Sequence, residues 1–337
     1  MRRRLRLTIG LLALLPCSGC SGWQSALSPH GPHAAHILGL LRLFVAVSAV
    51  VWLAVVLVLL GALFRRRMPA ESAVAPVDAA GQRRSMVAVV SATGATVLVI
   101  VGLTLASYLA TRGLADAGDA AVEIKVRGHQ WWWQATYNDA EPDRVFQTAN
   151  EIHIPVGRPV NIELMAADVI HSFWVPDLAG KQDQIPGRDN SLSIVADRPG
   201  VYRGQCAEFC GLQHAHMALI VVAEPPPAFE AWRNAQIAEA AAPANDEQEA
   251  GRKIFAARPC AACHTVRGTS AAGANGPDLT HVGSRQYIAA GILPTTRGSL
   301  AAWIADPQTI KPGNNMPLVD LSADELRAVS AYLASLR

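Results

Sequence analysis

Charged residues are scarce in this chain. Only 17% of its 337 residues are Asp, Glu, Lys or Arg, whereas 51% are hydrophobic, which is an apolar composition for a soluble protein. The formal net charge is +2 at pH 7. A nucleic-acid-binding protein would need a concentrated basic surface, so the composition argues against that class of function. The chain has no internal repeat, and its length exceeds what one small domain needs.

Cysteine is also sparse, and it occurs in pairs. The six cysteines form three close pairs: Cys17 and Cys20, Cys206 and Cys210, and Cys260 and Cys263. The first pair ends the stretch MRRRLRLTIGLLALLPCSGC, which has the layout of a secretory signal over residues 1–20. Ser18-Gly19-Cys20 resembles the end of a bacterial lipoprotein signal and predicts lipidation of Cys20. An ordinary or uncleaved signal peptide is the alternative, and both place the mature N-terminus outside the cytoplasm.

Two long uncharged segments, 43–64 and 86–110, follow the signal. Each is long enough to cross about 30 Å of hydrocarbon as a helix. They predict a transmembrane helix hairpin over residues 37–112. Arginines at 65–67, 83 and 84 lie between the two segments, and positive residues in a short loop mark the cytoplasmic side. The chain after residue 112 should therefore lie outside the cytoplasm.

The remaining sequence divides into three parts. Residues 120–223 contain short β-branched stretches such as AVEIKVRG, EIHIPVG and PVNIELMA, which predict an antiparallel β-sandwich or barrel. Residues 224–249 combine proline, alanine and acidic residues and predict a linker with a short helical piece. Residues 250–337 have helical character, and Ser322 or Asp324 could cap the last helix.

The third cysteine pair belongs to the sequence CAACH, which matches the C-x-x-C-H pattern that attaches a c-type haem. Cys260 and Cys263 would form the thioethers, and His264 would take one axial position on iron. A thioredoxin-like pair would need a βαβ unit, and a zinc half-site would need a second ligand pair. Met316, the only methionine after residue 250, is the predicted sixth ligand, with His281 as the alternative.

The second cysteine pair lies in the stretch CAEFCGLQHAHM. A loop between two strands would present Cys206, Cys210, His214 and Met217 together. Thiolate, imidazole and thioether ligands favour copper, because structural zinc rarely uses methionine. A disulfide is the main alternative in an oxidising compartment, but it would not explain the histidine and the methionine. His171, near the end of a predicted strand, is the candidate for a further ligand.

Other polar residues are weaker candidates for this site. His153 alternates within a predicted strand and is expected to be solvated or packed there. His216 is the direct neighbour of two candidate ligands, so we expect it to point to the opposite face. Three aspartates, Asp168, Asp177 and Asp183, are candidates for docking surfaces, with solvated surface charge as an equal interpretation for Asp177.

The stretch from about 37 to 223 resembles subunit II of the haem–copper cytochrome c oxidases. The resemblance rests on the helix hairpin, GHQWWW, DVIHSFWVP, KQDQIPGR and CAEFCGLQHAHM, in this order, and QSALSPHGPHAAHI resembles the bacterial members. Residues 250–337, with CAACH and GPDL, resemble a small class I cytochrome c. The whole chain therefore resembles subunit II of a caa-type oxidase. One departure is the start of the second helix, GQRRSMVAVV, which lacks the carboxylate that serves a proton path of subunit I in many members.

The resemblance implies a multidomain fold: a two-helix transmembrane hairpin, an all-β cupredoxin-like domain and an all-α class I cytochrome c domain. The β domain would carry the dinuclear copper centre CuA. Its implied ligands are His171, Cys206, Glu208 through its carbonyl, Cys210, His214 and Met217. The Glu208 side chain is implied as a ligand of a magnesium ion shared with subunit I. Trp131 is implied as the residue through which electrons reach the copper, with a membrane-interface aromatic belt as the alternative for residues 131–133.

The expected function is electron input to a terminal oxidase of the bacterial inner membrane. Cytochrome c or another donor would reduce haem c, and electrons would continue through CuA to subunit I, where oxygen is reduced. Subunits I and III are the expected partners, and both redox domains would lie in the periplasm. The alternatives are a CuA-containing nitric oxide reductase subunit and a non-enzymatic, membrane-anchored electron shuttle. KQDQIPGR and GHQWWW favour the oxidase, because an isolated shuttle needs no contacts with subunit I.

Overall fold

A computed structural model of the chain describes residues 22–65, 79–112, 120 and 122–337. The predicted signal segment, with Cys20, and two of the arginines of the predicted loop lie outside the described residues. The chain divides into two compact units. One is His36–Ala115, and the other combines Met1–Ala35 with Asp116–Arg337.

The described residues of the smaller unit belong to two helices. Helix α1 spans Pro32–Arg65 and helix α2 spans Ala79–Arg112, so both extend beyond the predicted spans. Mean hydropathy reaches 3.0 in α1 and 2.3 in α2, and large apolar side chains such as Trp52 and Leu98 are exposed. Both helices are long and apolar enough to cross a membrane. The first turn of α2 has no acidic residue.

Ten strands form the β domain. They are β1 Val122–His129, β2 Trp132–Tyr137, β3 Phe146–Ala149, β4 Glu151–Pro155, β5 Val160–Ala166, β6 His171–Trp174, β7 Gln182–Gln184, β8 Asn190–Ile194, β9 Gly200–Cys206 and β10 Ala218–Glu224. One sheet has the order β3-β2-β1-β5-β8 and the other β4-β10-β9-β6-β7. The predicted sandwich is confirmed, but its purely antiparallel character is wrong. The pairs β1–β5 and β4–β10 are parallel, because each joins strands that are not consecutive in the chain and can therefore run in the same direction.

Alternating burial in β1 places Ile124 and Val126 inside the sandwich, together with Trp133 and Phe173 from β2 and β6. Strand β4 lacks this alternation and is buried along its whole length. Its outer face is covered by Trp232, which lies in the helix that follows β10. The Trp232 ring stacks on the His153 ring of β4 with 4.0 Å between the ring centroids. The core therefore continues beyond the two sheets.

The rest of the larger unit is mainly helical. Its elements are α3 Pro226–Ile237, α4 Asp246–Ala257, α5 Cys260–Cys263, β11 Tyr287–Ile288, β12 Leu293–Pro294, α6 Arg297–Ala305, α7 Pro307–Ile310 and α8 Ala323–Ser335. Helix α3 is the helical piece predicted for the linker. Ser322, rather than Asp324, caps α8 in a capping box with Glu325. Helices α4 and α8 pack closely at Gly251, where a Cβ atom would lie 2.1 Å from the Ala328 carbonyl oxygen.

The segment before α1 lies along the β domain. The His30 N–H donates to the carbonyl of Asp177, and the Asp177 carboxylate accepts a hydrogen bond from the Ser25 N–H. Asp177 is fully buried, and this burial raises the pKa of its carboxyl. The predicted docking surface or solvated charge at Asp177 is therefore wrong, because the N-terminal segment covers it.

Candidate functional site

The stretch CAEFCGLQHAHM connects two adjacent strands, as predicted. Cys206 is the last residue of β9, and Met217 directly precedes β10. Between them, His214–His216 form one short 3-10 helix. The antiparallel pairing of β9 with β10 brings both ends of the loop together, and the Cys206 N–H donates to the Met217 carbonyl. The sheet therefore fixes the ends of the loop, and the loop curls back on itself.

Both cysteines of the loop are buried free thiols. Cys206 Sγ lies 3.8 Å from Cys210 Sγ, whereas a disulfide bond is about 2.05 Å long. Two further predicted ligand atoms lie near the first sulfur. The Glu208 carbonyl oxygen is 3.3 Å and His171 Nδ1 is 3.9 Å from Cys206 Sγ. His171 was predicted near the end of a strand. In the structure it is instead the first residue of strand β6.

Two more predicted ligands surround the second sulfur. His214 Nδ1 lies 3.7 Å and Met217 Sδ 3.8 Å from Cys210 Sγ. Atoms that share one metal ion at bond lengths of about 2.0–2.3 Å lie roughly 3–4 Å apart, so these spacings suit ligands of a common centre. Two thiolates, imidazoles and a thioether form a donor set of the type that copper prefers. The set of predicted ligands thus converges in one place.

The two thiols are electrostatically linked. The hydrogen bond from Cys210 lowers the pKa of Cys206 well below that of a free thiol. A thiolate at Cys206 in turn raises the pKa of Cys210. Because two thiolates at this distance repel each other, deprotonation of both sulfurs requires a cation between them. A metal ion bound by both sulfurs would supply that positive charge.

Asp168 orients one of the histidines. Its carboxylate accepts a hydrogen bond of 2.8 Å from His171 Nε2 and one of 2.7 Å from the Gln130 N–H. Burial opposes ionisation of Asp168, but these hydrogen bonds leave its pKa lowered. With Nε2 protonated, Nδ1 presents its lone pair toward the sulfurs. The sequence analysis missed this role, although the three-residue spacing in DVIH was a usable signal.

The three consecutive tryptophans have different environments. Trp131 is 8% exposed, and its indole N–H donates to the Cys210 carbonyl at 2.9 Å. Trp133 is fully buried and packs edge-on against His171. Trp132 is half-buried and stacks on His129. Burial within the protein rules out a membrane-interface belt for Trp131 and Trp133.

The side chains of His216 and Glu208 make contacts with other residues of the chain. His216 is exposed, and its Nδ1 lies 2.9 Å from Gln213 Oε1. The Glu208 carboxylate lies 3.4 Å from Lys181 Nζ and is 43% exposed. Lys181 belongs to KQDQIPGR, so this motif approaches the loop through an ion pair.

The CAACH residues lie in and directly after a short helix. Helix α5 consists of Cys260–Cys263, and His264 follows as its C-cap. The His264 Nδ1–H donates to the Pro277 carbonyl at 2.8 Å, which leaves Nε2 for a metal. Gly276 lies against the ring, since a Cβ atom there would be 2.6 Å from Cε1. Burial lowers the pKa of His264, so the imidazole is neutral, as a metal ligand must be.

Met316 is half-buried against the helical core. Its loop is ordered by Asn314, whose side chain accepts a hydrogen bond from the Met316 N–H, and by Gln308, which donates to the Met316 carbonyl. The alternative ligand, His281, uses Nε2 to donate to the Ala238 carbonyl of the linker at 3.0 Å. Its Nδ1 is buried and has no hydrogen-bond partner among the described residues, so the choice of Met316 over His281 stays a prediction.

Arg285 is a buried residue that the sequence analysis missed. One Nη donates to the Asp278 carbonyl at 2.5 Å, and Nε has no hydrogen-bond partner among the described residues. Burial lowers the pKa of the guanidinium, while the nearby carboxylates of Asp278 and Glu151 act to raise it, and such a group stays charged. Its Nε could donate to a further acceptor, such as a propionate of a haem. The signal for this residue in the sequence was that an arginine follows GPDL after a few residues.

Residues 122–224 match the family described as "Cytochrome C oxidase subunit II, periplasmic domain", and residues 248–337 match "Cytochrome c". The chain is 43% identical over 223 residues to cytochrome c oxidase subunit 2 of Alkalihalophilus pseudofirmus, covering 66% of this chain and 63% of that protein. It is 32% identical over 261 residues to cytochrome c oxidase subunit 2 of Bacillus sp. strain PS3, covering 72% of each chain. This chain belongs to the cytochrome c oxidase subunit 2 family. The predicted resemblance to a fused subunit II is confirmed.

Family membership adds to the description of the two units. The two apolar helices and the subunit 2 match together define a membrane-anchored protein with a periplasmic domain. Among solved structures, the periplasmic domain of cytochrome oxidase subunit II from Bradyrhizobium japonicum is 30% identical, with a TM-score of 0.34. That match covers 36% of this chain and 96% of the solved one.

Proposed function

We propose that this chain is the electron-input subunit of a haem–copper terminal oxidase. Electrons from a cytochrome c-type donor would pass through haem c and CuA to the haem–copper centre of subunit I, where oxygen is reduced to water. One observation carries the proposal: the loop of Met316 lies on Trp131. A Cβ atom on Gly313 would be 3.6 Å from Trp131 Cη2 and 3.2 Å from Leu212 Cδ2, so the segment that carries Met316 lies against the loop that carries the candidate copper ligands.

The proposed copper ligands are the six groups that converge in the loop. Cys206, Cys210, His171 and His214 would hold the copper through thiolate and imidazole groups. Met217 and the Glu208 carbonyl would add a thioether and an oxygen ligand. When bound, the copper pair would accept and release single electrons. The surrounding residues orient the ligands and exclude water, since both sulfurs are buried.

The proposed haem site uses the CAACH motif and the Met316 loop. Cys260 and Cys263 would hold the haem covalently, and His264 Nε2 and Met316 Sδ would bind its iron. The unpaired Arg285 Nε gives independent support, because it offers a buried donor to a propionate. A bound haem would supply one-electron chemistry at a potential that methionine ligation raises.

The connection between the two sites consists of residues of this chain. Trp131 contacts the Met316 loop with its ring and donates to the carbonyl of the ligand Cys210. The same loop covers the Trp131 side chain, so little of its surface is accessible to an external cytochrome. We infer that external donors reduce the haem site and that Trp131 serves transfer within the chain. Tethering makes this transfer independent of protein concentration.

The proposed domain boundaries are the signal segment at 1–20, the hairpin at 37–112, the copper domain at 120–223, the linker at 224–249 and the cytochrome domain at 250–337. The chain would cross the bacterial inner membrane twice, with both redox domains in the periplasm. Subunits I and III are the proposed partners. The Glu208 carboxylate would bind a magnesium ion shared with subunit I, in exchange for its ion pair with Lys181.

Two histidines of one 3-10 helix provide the test of the proposed function. His214→Asn should remove a copper ligand, whereas His216→Asn changes an exposed neighbour and serves as the matched control. Each variant is purified from membranes with its partner subunits, its copper and haem are counted, and its consumption of oxygen and of nitric oxide is measured. We expect His214→Asn to lose copper and oxygen consumption and to keep haem. Full oxygen consumption in that variant, or consumption of nitric oxide alone by the wild type, would contradict the proposal.

A further inference from the structure

A buried lysine joins the two candidate redox sites. Lys311 follows helix α7 as its C-cap and precedes Met316 by five residues. Lys311 is only 3% exposed, although a lysine is almost never fully buried unless it is paired. Among the described residues it has no carboxylate partner, since its strongest electrostatic influences are burial and Cys210. The position of its ammonium group therefore needs a physical reason.

Three backbone carbonyls surround that ammonium group. Lys311 Nζ donates to the carbonyl oxygens of Trp131 at 2.6 Å, His216 at 2.8 Å and Ala289 at 3.3 Å. Burial lowers the pKa of Lys311 to about 7, while three acceptors match the three N–H groups of the charged form. The lysine thus crosses from the helical part into the β domain. One of its acceptors there, His216, belongs to the loop CAEFCGLQHAHM, and another, Trp131, is hydrogen-bonded to Cys210 of that loop.

Two further hydrogen bonds connect the β domain to the helical part near the lysine. Gln213 Nε2 donates to the Pro312 carbonyl at 2.8 Å, directly beside Lys311 in the chain. On the other side the Ala218 N–H donates to the Ala290 carbonyl at 3.1 Å. These bonds connect the loop of His214 and Met217 to the helical part. Lys311 is the one member of this group that carries a charge.

We propose that Lys311 is a positioning residue for electron transfer between the haem and copper sites. It holds the Met316 loop on Trp131 by binding the Trp131 carbonyl, and so fixes the separation of the two centres. The inference rests on the proposed function. The step that it serves moves one electron, which oxidises haem iron from Fe(II) to Fe(III) and reduces the copper pair by one electron, with no bond formed or broken. Because electron transfer slows exponentially with distance, a small displacement of the loop has a large effect.

Lys311→Met tests the proposal, because methionine keeps the apolar part of the side chain and removes all three donors. The matched control is Lys253→Met on α4, where the lysine side chain is 70% exposed. Both variants are made in the full chain with its haem and copper and purified with the partner subunits. Three quantities are measured: the rate of haem-to-copper electron transfer after flash reduction of the haem, the reduction potentials of both centres, and hydroxyl-radical labelling of Trp131.

We expect Lys311→Met to slow the transfer about tenfold or more and to increase the labelling of Trp131, with both potentials and spectra retained. Lys253→Met should match the wild type in all three. A wild-type rate in Lys311→Met would overturn the proposal, and so would a slower rate with unchanged labelling and a shifted potential, since that result indicates electrostatic tuning. Absence of haem-to-copper transfer in the wild type would instead contradict the proposed function.

Lys311→Gln keeps the experiment decisive if the methionine variant does not accumulate. Glutamine retains two N–H donors on a shorter side chain. The expected result is an intermediate transfer rate with intermediate labelling of Trp131. A wild-type rate and wild-type labelling in Lys311→Gln would overturn the positioning role.

Discussion

The indole N–H of Trp131 donates a hydrogen bond of 2.9 Å to the backbone carbonyl of Cys210. This bond connects a side chain that contacts the Met316 loop to a proposed ligand of copper. Gln130 Nε2 donates to the same carbonyl at 2.7 Å, so the loop keeps one donor if the indole is removed. The role of Trp131 can therefore be separated from the integrity of the copper site.

Trp131→Phe should slow haem-to-copper electron transfer several-fold while the copper content stays unchanged. The physical reason is loss of the direct bonded path from the ring to the Cys210 carbonyl. Flash reduction of the haem measures the rate, and metal analysis measures the copper. Trp132→Phe is the matched control, because Trp132 stacks on His129 rather than on the loop. Equal rates in the two variants would show that Trp131 has no special part in the transfer.

Asp168→Asn should weaken copper binding by about 10–100-fold. The amide keeps the size of the side chain but no longer stabilises the protonated Nε2 of His171 with a negative charge. Competition with a copper chelator measures the affinity. Asp183→Asn provides the control, since Asp183 pairs with the exposed Lys181 instead. An unchanged affinity in Asp168→Asn would mean that His171 needs no support from the carboxylate.

Met316→Ala should lower the reduction potential of haem c by on the order of 0.1 V or more, because it removes the thioether ligand that favours the reduced iron. A spectroelectrochemical titration of the full chain measures the potential. His281→Ala should leave the potential close to that of the wild type, since His281 Nε2 faces the Ala238 carbonyl. The reverse pattern would make His281 the sixth ligand.

His153 predicts a pH dependence of stability. Burial alone would lower the pKa of its ring, but hydrogen bonds to Glu151 and Glu224 more than offset burial and raise the pKa. A raised folded-state pKa means that the stabilisation is complete below the unfolded pKa of about 6.5 and is lost as the pH rises through the folded pKa. His153 is buried in β4, as one of the two predicted interpretations had it.

His153→Gln should therefore lower the free energy of unfolding by about 1–3 kcal/mol near pH 6 and by less at higher pH. Denaturant unfolding of the full chain, followed by tryptophan fluorescence, measures the difference between wild type and variant. His129→Gln is the control, because burial lowers rather than raises the pKa of His129. A His153→Gln penalty that is the same at all pH values would contradict the ion-pair account.

Much of the fold could be predicted because local patterns determine it. Uninterrupted apolar segments predicted α1 and α2. A capping residue at Ser322 or Asp324 predicted the start of α8, and Ser322 is the one that caps it. Parallel pairing of β1 with β5 could not be predicted, since strand direction depends on contacts between distant residues. The burial of Asp177 was missed for the same reason, because the segment that covers it lies about 150 residues earlier.

The proposed ligands have a signal in the sequence, whereas the residues that support them do not. Cys206, Cys210 and His214 lie in one short motif whose residue types suggest a metal. Lys311 lies in a Pro/Gly loop and has no recognisable partner in the sequence, because its acceptors are backbone carbonyls. Backbone acceptors leave no signature of residue type, so such contacts become visible only in the folded chain.

We propose that electrons pass from haem c to CuA within one chain. The most direct measurement is the rate of that transfer in the purified full chain after flash reduction of the haem, over a wide range of protein concentrations. Intramolecular contact predicts a single exponential decay of reduced haem, matched by reduction of copper, with a rate independent of concentration. A rate that rises in proportion to protein concentration, or no copper reduction on this timescale, would contradict it.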